Sequence, residues 1–60
     1  ASANPSIHIV VERGRVTLTG VVQSEVDRML ARTLVMQDGV LSVTNNLRTE
    51  AEARAELEKM

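Results

Sequence analysis

Apolar and polar residues alternate over Ile7–Glu12 and again over Val16–Val21. Ile7, Ile9 and Val11 fall on one face of the first run, with His8, Val10 and Glu12 on the other. In the second run Val16, Leu18 and Gly20 oppose Thr17, Thr19 and Val21. Strand side chains alternate across a sheet, and β-branched residues suit its pleated surface. The two runs therefore predict an antiparallel hairpin buried on one side. Arg13-Gly14 supplies the tip, with Gly14 expected at positive φ. Gly20 lies on the apolar face, where a bare backbone lets a helix approach closely.

The period then changes. Ser24 followed by Asp27 is a variant capping box, and Val26, Met29, Leu30, Leu34 and Val35 recur at helical spacing with Ala31 beside them. Glu25, Asp27, Arg28 and Arg32 form the expected outer face, and Gly39 the left-handed residue closing the helix. Val40–Arg48 predicts a third strand with Leu41, Val43 and Leu47 on its apolar side. Asn45 shares that side and needs a hydrogen-bond partner if buried. Thr49 with Glu52 three residues on opens a second helix, supported by a Glu50–Arg54 pair and a thin Ala53, Leu57, Met60 stripe.

The predicted order is ββαβα, an α+β fold. The long crossover between the second and third strands favours parallel pairing, giving a mixed three-stranded sheet with helices packed on one face. The expected divisions are a flexible lead-in over 1–6, a core over 7–48 and a C-terminal helix over 49–60. Pro5 discourages a helix running straight into the first strand.

Composition narrows the function. Sixty residues allow a single domain with a small core, and without Cys there is no disulfide or Cys-based zinc site to reinforce it. The expectation is a marginal domain belonging to a longer polypeptide or supported by a neighbour. Net charge is −1, which argues against nucleic acid as a partner. The balance is uneven: residues 1–48 hold five Arg against four acids, and residues 49–60 two bases against four acids. Phe, Tyr and Trp are all absent, removing the stacking platforms of single-strand binders and the aromatic anchors of membrane interfaces. No apolar run approaches the roughly 18 residues of a membrane span.

Catalytic chemistry finds little support. His8 is the only imidazole, with no second His or Cys beside it for a metal. Glu12, Glu25, Asp27 and Asp38 are scattered at turns and helix ends, and Ser6, Ser24 and Ser42 lack a base in a triad pattern. The three glycines are spaced as structural punctuation, not as a phosphate-binding loop. The expectation is a protein that is not an enzyme and uses no metal or cofactor. Arg13 and Arg15 flank the hairpin tip, while Arg28 and Arg32 stack at i,i+4. These four read either as a solvated face or as candidate contacts to anionic lipid head groups, each Arg then contributing about 1 kcal/mol near such a surface. Val10 and Val21, on the open sheet face, read equally as a further candidate surface or as scattered exposed apolar residues of no consequence.

Two segments at this separation resemble the BON domain, named for bacterial osmotically inducible and nodulation proteins. The first is G-x-V-x-L-x-G, at Gly14, Val16, Leu18 and Gly20; the second is G-V-x-x-V-x-N-x-L, at Gly39, Val40, Val43, Asn45 and Leu47. Ile9, Val11, Val22, Val26, Leu30 and Leu34 extend the likeness over roughly Ile7–Leu47. The resemblance implies a non-catalytic module of periplasmic and envelope proteins that associates weakly with anionic phospholipid membranes, often beside a second domain. A protein-interaction or self-association domain within a larger protein is the alternative. Family members usually carry a helix before the first strand, which six residues with a Pro do not supply. The C-terminal helix is expected to cover the space such a helix would fill, touching Ile7, Ile9 and the central helix.

Overall fold

The computed structural model describes residues 7–59. Its elements are β1 (Ile7–Glu12), β2 (Arg15–Val22), α1 (Glu25–Val35), β3 (Ser42–Thr49) and α2 (Glu50–Glu58). β2 is the central strand, with β1 antiparallel on one side and β3 parallel on the other. This is the α+β, ββαβα mixed sheet that the periodicity predicts. The lead-in over 1–6 and Met60 lie outside the described residues.

Glu12 pairs with Arg15 across a two-residue tip. Both tip residues have positive φ, 51° at Arg13 and 80° at Gly14. That is the signature of a type I′ turn, whose twist matches the flanking strands. Gly14 is also crowded. A Cβ there would sit 3.0 Å from the Gly39 carbonyl oxygen and 3.0 Å from Leu41 Cγ. The Leu41 N–H donates to the Gly14 carbonyl at 2.7 Å, fastening the loop before β3 to the tip. Gly20 has a φ of 129°, and that backbone conformation is itself a reason for glycine there.

Ser24 caps α1 by accepting the Asp27 N–H, as expected. The helix ends earlier than predicted. It stops at Val35, where the Met36 N–H donates to the Arg32 and Thr33 carbonyls and the Gln37 side chain donates to the Leu34 carbonyl. Gly39, with a φ of 94°, is therefore not the helix's closing residue. It sits in a separate turn closed by the Val40 N–H and the Gln37 carbonyl. An early end lets the chain reach the hairpin tip and enter β3 with Ser42 opposite Arg15. Leu41 is consequently outside β3, and its side chain is 76% exposed instead of joining the apolar side.

Val16, Leu18, Val22 and Leu47 are the buried core, with Ala31, Val35, Val40 and Val43 packed around them. Here α1 departs most from expectation. Its contact with the sheet runs through Ala31 and Val35, while Val26, Met29, Leu30 and Leu34 are 52–71% exposed. Arg28, assigned to the outer face, is half-buried. Asn45 explains the rotation: its Nδ2 donates to the Arg28 carbonyl, and its Oδ1 accepts the Leu47 N–H. The polar residue on the apolar side thus finds both partners and binds the Arg28 turn of α1 to β3.

α2 begins with a full capping box, in which Thr49 and Glu52 satisfy each other's backbone N–H groups. It packs against β2 and β3. Ile7, Ile9 and Val11 stay exposed, so the helix does not provide the expected cover over β1. Its apolar stripe is not docked either, with Ala53 half-buried and Leu57 exposed. Among the described residues its ion pairs are Arg28–Glu52 and Arg48–Glu56 rather than Glu50–Arg54.

Candidate functional site

The four candidate arginines do not form one patch. Arg28 lies in the first half of α1, where its guanidinium pairs with Glu25, donates to Glu52 at 2.7 Å and reaches the Leu47 carbonyl at 3.3 Å. This cluster joins α1, β3 and α2 and leaves little of the Arg28 charge for an outside anion. Glu52 is held below the usual carboxylate range, first by the Thr49 backbone N–H and further by the Arg28 charge, against an opposing effect of lost hydration. Arg32 is exposed one turn further along α1 and belongs to no ion pair among the described residues.

Arg13 and Arg15 are exposed at the opposite end, where the two-residue tip fixes their backbones. Arg15 is the first residue of β2, held between Glu12 and Ser42. Arg13 occupies the left-handed region, where Asn or Gly would be less strained. The tip has a third member that the sequence pattern hid. Leu41 reads as an inward strand residue by parity, but in three dimensions it leans on Gly14 and shows most of its surface. Its N–H bond to the tip carbonyl holds it in this place. Asp38, in the adjoining turn, is exposed and partly offsets the two positive charges.

The other chemistry-bearing side chains are dispersed. His8 stands opposite Thr19 and Glu12 opposite Arg15, while Ser24 and Asp27 belong to the α1 cap. No three His, Asp or Glu side chains among the described residues converge on a point that would hold a metal ion. Val10 is exposed and Val21 half-buried on the open sheet face. An open depression of about 550 Å³, lined by Thr19, Val21, Asn46, Arg48 and their neighbours, lies at the far end of the sheet from the tip. Its one charged group, Arg48, is paired with Glu56.

The BON domain family model matches residues 1–51. No curated protein and no solved structure matched the chain. With the hairpin, the parallel third strand and the Asn45 bridge in place, that span takes in all three strands and α1. The chain therefore belongs to the BON domain family, a family of non-catalytic binding modules typical of bacterial envelope proteins.

Proposed function

We propose that the chain is a weak contact module for anionic phospholipid surfaces in the bacterial periplasm or envelope, acting through its hairpin tip. The observation that carries this reading is Arg13. It accepts a left-handed backbone at the hairpin tip, beside Arg15 and an exposed Leu41. Two guanidinium groups next to one aliphatic side chain suit a head-group layer, where cations meet phosphate and an apolar group enters below. Arg32 adds charge along α1, and Arg28 supports the fold. At about 1 kcal/mol per Arg, affinity stays near the millimolar range, so productive attachment draws on avidity from a second domain.

Co-sedimentation with vesicles tests this. Binding is expected to vesicles containing phosphatidylglycerol, to be absent from pure phosphatidylcholine, and to fall as salt rises. Charge reversal at Arg13 and Arg15 together should abolish it, and Leu41→Ser should weaken it. Binding unchanged by the double reversal would exclude the tip.

A further inference from the structure

The end of α1 at Val35 leaves Asp38 and Gly39 outside any helix. Both are exposed, in the turn that the Val40 N–H closes on the Gln37 carbonyl at 3.0 Å. Among the described residues the Asp38 carboxyl has no hydrogen-bond or ion-pair partner, and the Gly39 N–H has no acceptor. Apart from the two chain neighbours of Gly39, no heavy atom stands within 4 Å of where its Cβ would be. A backbone nitrogen beside a free carboxyl on the preceding residue is a nucleophile held one ring closure from its target. Asp27, the other aspartate of the chain, is the counter-case. The Arg28 N–H that follows it is engaged by the Ser24 carbonyl at 3.1 Å, and α1 fixes the backbone around it.

We propose that Asp38-Gly39 is a site of spontaneous aspartyl isomerisation, and that the change releases the loop before β3 from the hairpin tip. The Gly39 nitrogen attacks Cγ of the Asp38 carboxylic acid. An N–Cγ bond forms, the Cγ–OH bond breaks, and one water leaves with that hydroxyl and the amide proton. Water then adds to the cyclic imide. Addition at the main-chain carbonyl breaks its bond to nitrogen and yields isoaspartate, with the chain running through the former side chain and a free α-carboxylate. Addition at Cγ restores aspartate. The overall change needs no co-reactant and keeps mass and charge, but it adds one carbon to the backbone. That carbon enters where the fit is tight. The Gly39 carbonyl oxygen lies against Gly14, 3.0 Å from where a Cβ would stand, and the Leu41 N–H donates to the Gly14 carbonyl at 2.7 Å. A longer backbone between Gln37 and Val40 moves the turn hydrogen bond and this docking out of register. The inference stands independently of lipid binding.

The test is to incubate the full chain in neutral buffer at physiological temperature for several weeks. Trypsin then separates Asp27, in residues 16–28, from Asp38, in residues 33–48. Isoaspartate is read in each peptide by labelled methyl transfer from S-adenosylmethionine with an isoaspartyl methyltransferase. At position 38 it is expected to accumulate at least about tenfold faster than at position 27. The mass stays unchanged, which sets the product apart from deamidation at Asn45 or Asn46. A synthetic peptide of residues 33–48 gives the rate without the fold, and the folded chain should come within about tenfold of it. Asp38→Glu keeps the carboxylate but would have to close a larger imide ring, and should lose the signal. In the isomerised protein, isolated by chromatography, the Leu41 amide should exchange with solvent at least about tenfold faster than in the parent. Accumulation slowed beyond that tenfold limit by the fold would overturn the site. Unchanged exchange at Leu41 in the isomerised protein would overturn the release of the loop.

Discussion

Arg13 allows stability and the proposed lipid contact to be tested apart at a single position. An L-residue in the left-handed region costs about 1 kcal/mol, and Asn-Gly is the favoured pair for a type I′ tip. Arg13→Asn is therefore expected to raise stability by about 0.5–1 kcal/mol in urea unfolding while weakening attachment to anionic vesicles. A variant that is less stable than the parent would show that the Arg13 side chain supports the turn. Arg28 lies at the other extreme. Its charge is engaged by Glu25, Glu52 and the Leu47 carbonyl, so its loss should loosen the joint between α1 and α2 before it affects any lipid contact. The sequence places both residues on one list of exposed cations. Spacing records that Arg28 and Arg32 share a helix face, but not that Asn45 turns that face toward β3.

Among the elements, α2 depends most on its first turn. Leu57 is exposed and no residue of the helix is fully buried, so its attachment rests on the capping box and the two arginine pairs. Glu52 serves both devices, and its lowered pKa fixes the sign of the pH response. A carboxylate depressed by folding stabilises above its ordinary value, near 4.3, and that contribution is lost as pH falls through the lower folded value. Helical circular dichroism should therefore drop on acidification below about pH 4. Glu52→Gln should begin with less helix and show a smaller acid step. An equal step in both proteins would assign the loss to other carboxylates. The two caps and the parallel crossover were readable because each follows from residues close in sequence or from chain length. The end of α1 was not, since Gln37 and the tip carbonyl of Gly14 replace the expected role of Gly39. The outward apolar stripe was readable as a stripe, but amphipathicity does not identify what covers it.

At the scale of the whole molecule, four aliphatic side chains among the described residues carry the buried core, and of these only Leu18 has no exposed surface at all. Leu18→Ala should cost about 2–5 kcal/mol, comparable with the entire stability of about 3–9 kcal/mol for a 60-residue domain. Its urea unfolding should lose a cooperative baseline. A sharp transition shifted by less than about 1 kcal/mol would mean that association or another contact supplies most of the stability. One row of the sheet has a separate bearing on how the module is carried. Ile7, Gly20 and Leu47 lie side by side, so β1 starts at the end of the sheet where β2 and β3 finish. Polypeptide joined before β1 thus enters the domain at that end. The Arg13-Gly14 turn points away from the attachment, and the eight residues of β2 act as a spacer of about 26 Å. The charged turn is thereby held at the end of the sheet remote from the start of β1.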